Sequence, residues 1–390
     1  MARPSGRNRF WEEDYDSEEE RDGGAPWNKG VGCSGKDVSY EQEGFLSHQP
    51  VRPRSLAVES PDLPIEKPEE PDNDNFKRFA GFGVSLLSLF AENVLAHPFI
   101  VIRRQCQLNY QAKTYHLTPF TITRLTYAIG RAQTPKVLWK GIGSTFIHQG
   151  LTLGVEGILG EYTTLPKDFP MVWNTRMVGA HMLLKGITCL VTMPFYSTSL
   201  VDTVQSEMIR DSPSILDCIR EGFCRALGLG IPHSKRLLPL HLLALPTLTL
   251  CLLHYLLAKL IRRLVCSLRA PRHAMLPSDE AHSIDMHISE LTAGLVSNLV
   301  ADAALLPLEM VVTRLHVQGT RSIVDCTEPG GQPLLPVNTC YEGAGDCIRT
   351  VLREEGRWGF YRGLGTLGLQ YGLHAAVLQA GKVAVGFAAT

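Results

Sequence analysis

At 390 residues, with 44% hydrophobic and 20% charged side chains, the chain exceeds one typical domain of ~100–200 residues, so repeats or several domains are expected. Its formal net charge of −1 hides a division: residues 1–75 hold 9 Lys/Arg against 18 Asp/Glu, or −9, leaving 29 basic and 21 acidic residues, or +8, in 76–390. Ten cysteines lie scattered from Cys33 to Cys347 with no CxxC pair and no histidines at zinc-finger spacing, which argues against a disulfide framework or a zinc module.

The chain opens without an apolar run, and Glu12, Glu13, Asp14, Asp16, Glu18, Glu19 and Glu20 crowd its start, so neither a secretory signal nor an Arg-rich transit peptide is expected there. Residues 1–75 read as a disordered acidic tail. They have too little apolar surface to offset the entropy of ordering, and Pro61, Pro64, Pro68 and Pro71 fall close together. Two readings of the tail stay open: a solubilising extension, or a binding arm anchored by Phe10, Trp11 and Trp27. After Phe76, apolar segments follow at 79–102, 142–160, 177–201, 237–258, 288–313 and 364–387. The fourth holds no charged residue and is long enough to cross ~30 Å of hydrocarbon as a helix. Lys259, Arg262 and Arg263 follow it as interfacial anchors. The other five carry Glu92, Glu156, Lys185, Asp302 and Lys382. An ionisable group at that depth is expensive unless it faces a protein interior, so all five are expected to turn towards the centre of a helical bundle.

A pattern recurs three times along 76–390. Its fullest copy runs from Pro307 through Glu309, Val312 and Arg314 to Glu355-Gly356 and Tyr361-Arg362-Gly363. The first copy keeps Pro98, Arg103 and Trp139-Lys140-Gly141; the second keeps Pro194 and Glu221-Gly222. The prolines stand 96 and 113 residues apart. This resembles the mitochondrial carrier family, whose signature is Px[DE]xx[KR]x[KR] followed by [DE]Gxxxx[FYW][KR]G, and the resemblance covers about four-fifths of the chain. It implies an all-α membrane protein of three two-helix repeats and six transmembrane helices: a tail over 1–75, then repeats over 76–165, 166–275 and 276–390. Physically, Pro98, Pro194 and Pro307 would bend the odd-numbered helices inward. The amphipathic stretch 344–354 would lie along the surface, and Gly356 and Gly363 would allow the tight turns that feed the last helix. These positions, with Arg103, Glu309, Arg314 and Arg362, form the expected structural site.

In transporting members, an acid and a base after each proline build a ring of three salt bridges that closes one side of the cavity. The matching positions here are Ile100 and Arg103, Tyr196 and Ser199, Glu309 and Val312, so only Arg103 and Glu309 keep charge. At the opposite gate, the segments ending at Lys259 and Lys382 keep the lysine and lose the acid. Alternating access needs two states of similar energy, each held by its own contacts, so exchange transport is not expected. No catalytic constellation is present either. Gly141-Ile142-Gly143 is not a phosphate-binding loop, and His181, His241 and His254 read as packed or interfacial, so no cofactor and no enzyme activity are expected. Degraded gates behind a long acidic extension resemble the divergent outer-membrane branch of the family. That resemblance implies a multi-pass outer-membrane protein with a cytosolic tail and a non-transporting part in fission and fusion balance, cristae maintenance and lipid homeostasis. Its partners would be membrane lipids and mitochondrial shaping, cristae-organising and contact-site proteins, without nucleic acid. The competing readings are a genuine solute transporter of the inner membrane and a passive lipid-handling groove.

Overall fold

The computed structural model describes residues 73–170, 174–206, 215–228, 236–273, 282–327 and 334–389. All belong to the second of two compact units, Pro68–Thr390. The acidic block, the aromatic residues Phe10, Trp11 and Trp27, and the prolines at 61–71 lie outside the described residues.

The first apolar segment forms α1 (Asn73–Phe90), a π-helical turn (Ala91–Leu95) and α2 (His97–Leu108). Pro98 sits in the first turn of α2, where its missing N–H costs nothing, and the helix axis breaks just before it at Ala96. Pro194 and Pro307 differ: both lie inside continuous helices, α5 (Thr175–Val204) and α8 (His282–Val317). The long helices that follow α2, α5 and α8 are α4 (Ile142–Tyr162), α7 (Leu240–His273) and α10 (Leu364–Ala389). Three amphipathic helices, α3 (Pro119–Ala132), α6 (Ile215–Leu227) and α9 (Ala344–Glu354), lie between α2 and α4, α5 and α7, and α8 and α10. Among the described residues, four stretches are long and apolar enough to cross a membrane: Ala80–Leu108, Thr175–Val204, Leu240–Arg269 and Met286–Val317. The 21 residues of α4 would span ~30 Å at ~1.5 Å per residue. Its glycines, His148 and Gln149 dilute its hydropathy.

The segment between α8 and α9 carries a two-stranded antiparallel hairpin. Strands β1 (Ile323–Asp325) and β2 (Leu334–Pro336) pair with Val324 opposite Leu335. Gly356 and Gly363 adopt φ of +73° and +79°, a region that a side chain with a Cβ rarely enters, and between them a 3-10 turn (Arg357–Tyr361) leads into α10.

Packing is concentrated where α2, α5 and α8 end. On α3, Ile122, Leu125 and Ile129 recur at helical spacing and close over Ile102, Cys106 and Leu138. Met193, Met310, Val311 and Leu315 pack with Cys347 and Val351 of α9. A third cluster joins Leu108, Leu200, Val204 and Val317 to Val324 and Val337 of the hairpin segment. Burying each such side chain contributes ~1.5–3 kcal/mol relative to exposing it to water. The far end is held more lightly, by Val84, Ile288 and Leu378. Of the five intramembrane charges expected to face inward, Glu156, Lys185 and Asp302 line an internal cavity, whereas Glu92 and Lys382 are exposed. Glu92 lies on the π turn, whose wider coil shifts the register of side chains. Lys382 is near the end of α10, within reach of an interface for its long stem.

Candidate functional site

The gate lies where α2 and α8 approach each other. Arg103 Nε stands 3.1 Å from Glu309 Oε1, with side chains 8% and 17% exposed. Arg103 Nη1 also lies 4.0 Å from Asp302 Oδ2 and donates to Gln370 Oε1 at 3.2 Å. Asp302 in turn accepts from His254 Nε2 and from the Tyr371 hydroxyl, both at 2.7 Å. A carboxylate and guanidinium taken out of water are costly without partners, and α2, α7, α8 and α10 bring these groups together here; Arg103 Nε meets Glu309 as a charge contact and makes no hydrogen bond. The four uncharged gate positions give no second or third bridge. Ser199 and Val312 are buried, Ile100 is partly buried, and the Tyr196 ring packs between His148 and His316 at centroid distances of 5.5 and 5.3 Å. α2 is tied to α5 through a neutral acceptor instead, Arg104 Nη1 donating to Thr203 Oγ1 at 2.8 Å.

Beside the gate lies a cavity of about 420 Å³, lined in part by Arg103, Glu156, Lys185, Tyr255, His254 and Glu309. Lys185 donates to Glu156 at 2.6 Å and sits 5.0 Å from the centroid of the Tyr255 ring, so its charge is neutralised within the wall. Lys259, from the expected second gate, lies 5.5 Å from the same ring. His181 is held between the Pro166 carbonyl and the Tyr255 hydroxyl as a structural residue.

Below the gate, Arg314 and Arg362 meet on one carboxylate, Glu355, which the repeat pattern contains but which is absent from the expected structural site. Arg314 pairs with it through both terminal nitrogens and also donates from Nε to the Gln107 carbonyl at 2.8 Å. Arg362 donates to Glu355 from Nε and to the Ala112 carbonyl from Nη1 at 3.0 Å, while its guanidinium stacks 4.8 Å from the Tyr115 ring centroid. This node joins α8 and the turn before α10 to the end of α2 and the loop after it. A second buried ion pair, Lys140 with Asp325 at 2.7 Å, stands beside the hairpin. On α9, burial pushes the Cys347 thiol up to about 12. Among the described residues, no group of three or more His, Cys, Asp or Glu side chains is placed to hold a metal ion. Sequence reasoning thus misses Asp302, His254, Tyr371, Glu355 and Asp325 as a set. The legible signals are Asp302, as an intramembrane charge, and Glu355, in the Glu-Gly pair of the fullest repeat.

A first helix interrupted by a π turn, two long helices with an internal proline, amphipathic connectors and a gate beside a cavity define a carrier-type bundle. Residues 285–382 match the family model described as mitochondrial carrier protein, and the chain belongs to the mitochondrial carrier family. It is 53% identical over 318 residues to the mitochondrial outer membrane protein SLC25A46 of Gallus gallus, covering 80% of this chain and 78% of that protein. Identity to the same-named proteins of Danio rerio and Homo sapiens is 52% over 322 and 50% over 316 residues. Those matches cover 80% of this chain and 79% and 75% of the relatives. The chain is therefore closely related to SLC25A46 across several vertebrates.

Proposed function

We propose that the chain is a non-transporting, carrier-like adaptor of the mitochondrial outer membrane. In this reading, repeats at 76–165, 166–275 and 276–390 each contribute two of six membrane-crossing helices, and the acidic tail 1–75 lies in the cytosol. Pro98, Arg103, Pro194, Pro307, Glu309, Arg314, Gly356, Arg362 and Gly363 then serve structure rather than exchange. The observation that carries the reading is the gate: one ion pair, Arg103–Glu309, where a symmetric lock needs three. A single bridge cannot hold a closed state that opens and recloses around a threefold axis.

Placement in the outer membrane is supported by the relatives named as mitochondrial outer membrane proteins. The roles in fission and fusion balance, cristae maintenance and lipid homeostasis, with shaping, cristae-organising and contact-site proteins and membrane lipids as partners, are those the resemblance to the outer-membrane branch implies. The adaptor reading predicts that purified protein in proteoliposomes exchanges nucleotides, carboxylates and amino acids only at the background rate of empty vesicles. A second reading, solute transport across the inner membrane, is favoured by the cavity of about 420 Å³. Saturable counter-exchange of any of these solutes would establish it and overturn the first.

A further inference from the structure

The third repeat contains a charged triad whose counterpart in the first repeat lacks an acid. Arg314 follows Pro307 by seven residues, and Glu355 and Arg362 precede Gly363 by eight and one. Counted the same way from Pro98 and Gly141, the first repeat has Gln105, Gln133 and Lys140: two amides and a cation. A buried lysine without a counter-charge is strongly unfavourable. The structure nevertheless gives these three side chains a carboxylate. Asp325 Oδ2 accepts from Lys140 Nζ at 2.7 Å and from Gln105 Nε2 at 3.1 Å, and Asp325 Oδ1 accepts from Gln133 Nε2 at 3.3 Å. Both charged side chains are 2% exposed. Asp325 belongs to β1, in the third repeat's own segment between α8 and α9.

We propose that Asp325 supplies, from the segment between α8 and α9, the acid that the first repeat has lost, and that its hairpin is a clasp holding all three repeats together at their convergent end. The second repeat is held by the same element. Lys140 Nζ donates to the Val204 carbonyl at 3.2 Å, Ser206 N–H donates to the Ile323 carbonyl at 2.8 Å, and Gln205 bridges to Val324. Val324 is fully buried among Leu108, Leu200, Val204 and Val317, and Asn109 Nδ2 donates to Thr327 Oγ1 at 2.9 Å. Opening this end would break a buried ion pair, several hydrogen bonds and an apolar contact in one step. Closure is therefore carried by the clasp, beneath a gate reduced to one bridge. The clasp stands on its own geometry. Only its meaning for transport rests on the adaptor reading, which the exchange assay tests separately.

The test uses the full-length purified protein with Asp325→Asn alone and combined with Gln133→Glu, which restores an acid at the position matching Glu355. The readouts are the apparent melting temperature and the alkylation rate of Cys106, a residue of α2 that is 2% exposed, followed by peptide mass spectrometry. Asp325→Asn should lower the melting temperature by roughly 5–10 °C and expose Cys106 to alkylation about tenfold faster or more. Adding Gln133→Glu should recover at least half of both effects, because the lysine regains a carboxylate. Should Asp325→Asn fail to accumulate, recovery of folded yield in the double variant is the reading, and no recovery overturns the proposal. It is equally overturned if Asp325→Asn melts like the wild type with Cys106 protected, or if adding Gln133→Glu restores neither property.

Discussion

Replacing Arg103 by alanine removes the cation that Glu309 faces at 3.1 Å and Asp302 faces at 4.0 Å. The two acids respond differently. Asp302 keeps His254 and Tyr371 at 2.7 Å, whereas Glu309 loses its close ionic partner in a side chain only 17% exposed. Breaking a buried pair costs ~3–5 kcal/mol; the residual exposure of Glu309 places Arg103→Ala near the lower end, about 3 kcal/mol. In Glu309→Ala, Arg103 still has Asp302 and Gln370, so the loss should be smaller, about 1–2 kcal/mol. The double variant leaves no orphaned Glu309 and should fall short of additivity by ~1–2 kcal/mol. Thermal unfolding of the four full-length proteins closes this cycle, and with total stabilities of ~5–15 kcal/mol the single losses should also lower steady-state abundance. Additivity within ~0.5 kcal/mol, or a greater loss from Glu309→Ala than from Arg103→Ala, refutes the reasoning.

Protease added to intact mitochondria should remove the acidic tail while the body survives; a tail protected until the outer membrane is ruptured contradicts its cytosolic placement. Cys347, with its thiol pushed up to about 12 by burial, should resist iodoacetamide at pH 8 while the exposed Cys340 reacts, and peptide mapping after labelling distinguishes them. The unfolded chain ionises this thiol first, near the ordinary value of 9.0, so its contribution to stability is complete below that pH and declines as pH rises towards about 12.

What can be read from the sequence follows the length scale of each feature. The connector helix Ala344–Glu354 is legible residue by residue, because a helical period and flanking glycines both lie within a dozen positions. Arg103 and Glu309 can be matched because the repeat supplies a ruler between distant segments. The proline rule expects a bend in the first helix at Pro98; the irregular turn lies just before it, the π turn Ala91–Leu95, which holds the Val94 carbonyl that Pro98 has no N–H to meet. Inward orientation of Glu92 and Lys382 follows from the cost of a charge in hydrocarbon, which ignores a register shift and a side chain long enough to reach an interface. The hairpin escapes notice because strands of three residues leave almost no alternation to detect. Asp325 is beyond any local signal, since its partner Lys140 is 185 residues away. The one hint is negative: a Lys-Gly at the end of a repeat that has no acid to offer it.

The ion pair between Lys140 and Asp325 also imposes an order on the making of the protein. The ribosome produces Lys140 well before Asp325, so the cation waits uncompensated while a further 185 residues are made. Until then the nascent chain must keep that lysine in water or hand it to a chaperone, and the first two repeats cannot reach their final arrangement. A premature stop anywhere ahead of position 325 therefore removes more than a distal segment. It leaves an upstream repeat, complete in its own sequence, without the group that lets it settle, and quality control should meet such products as unfolded along their whole length rather than as shortened versions of the bundle.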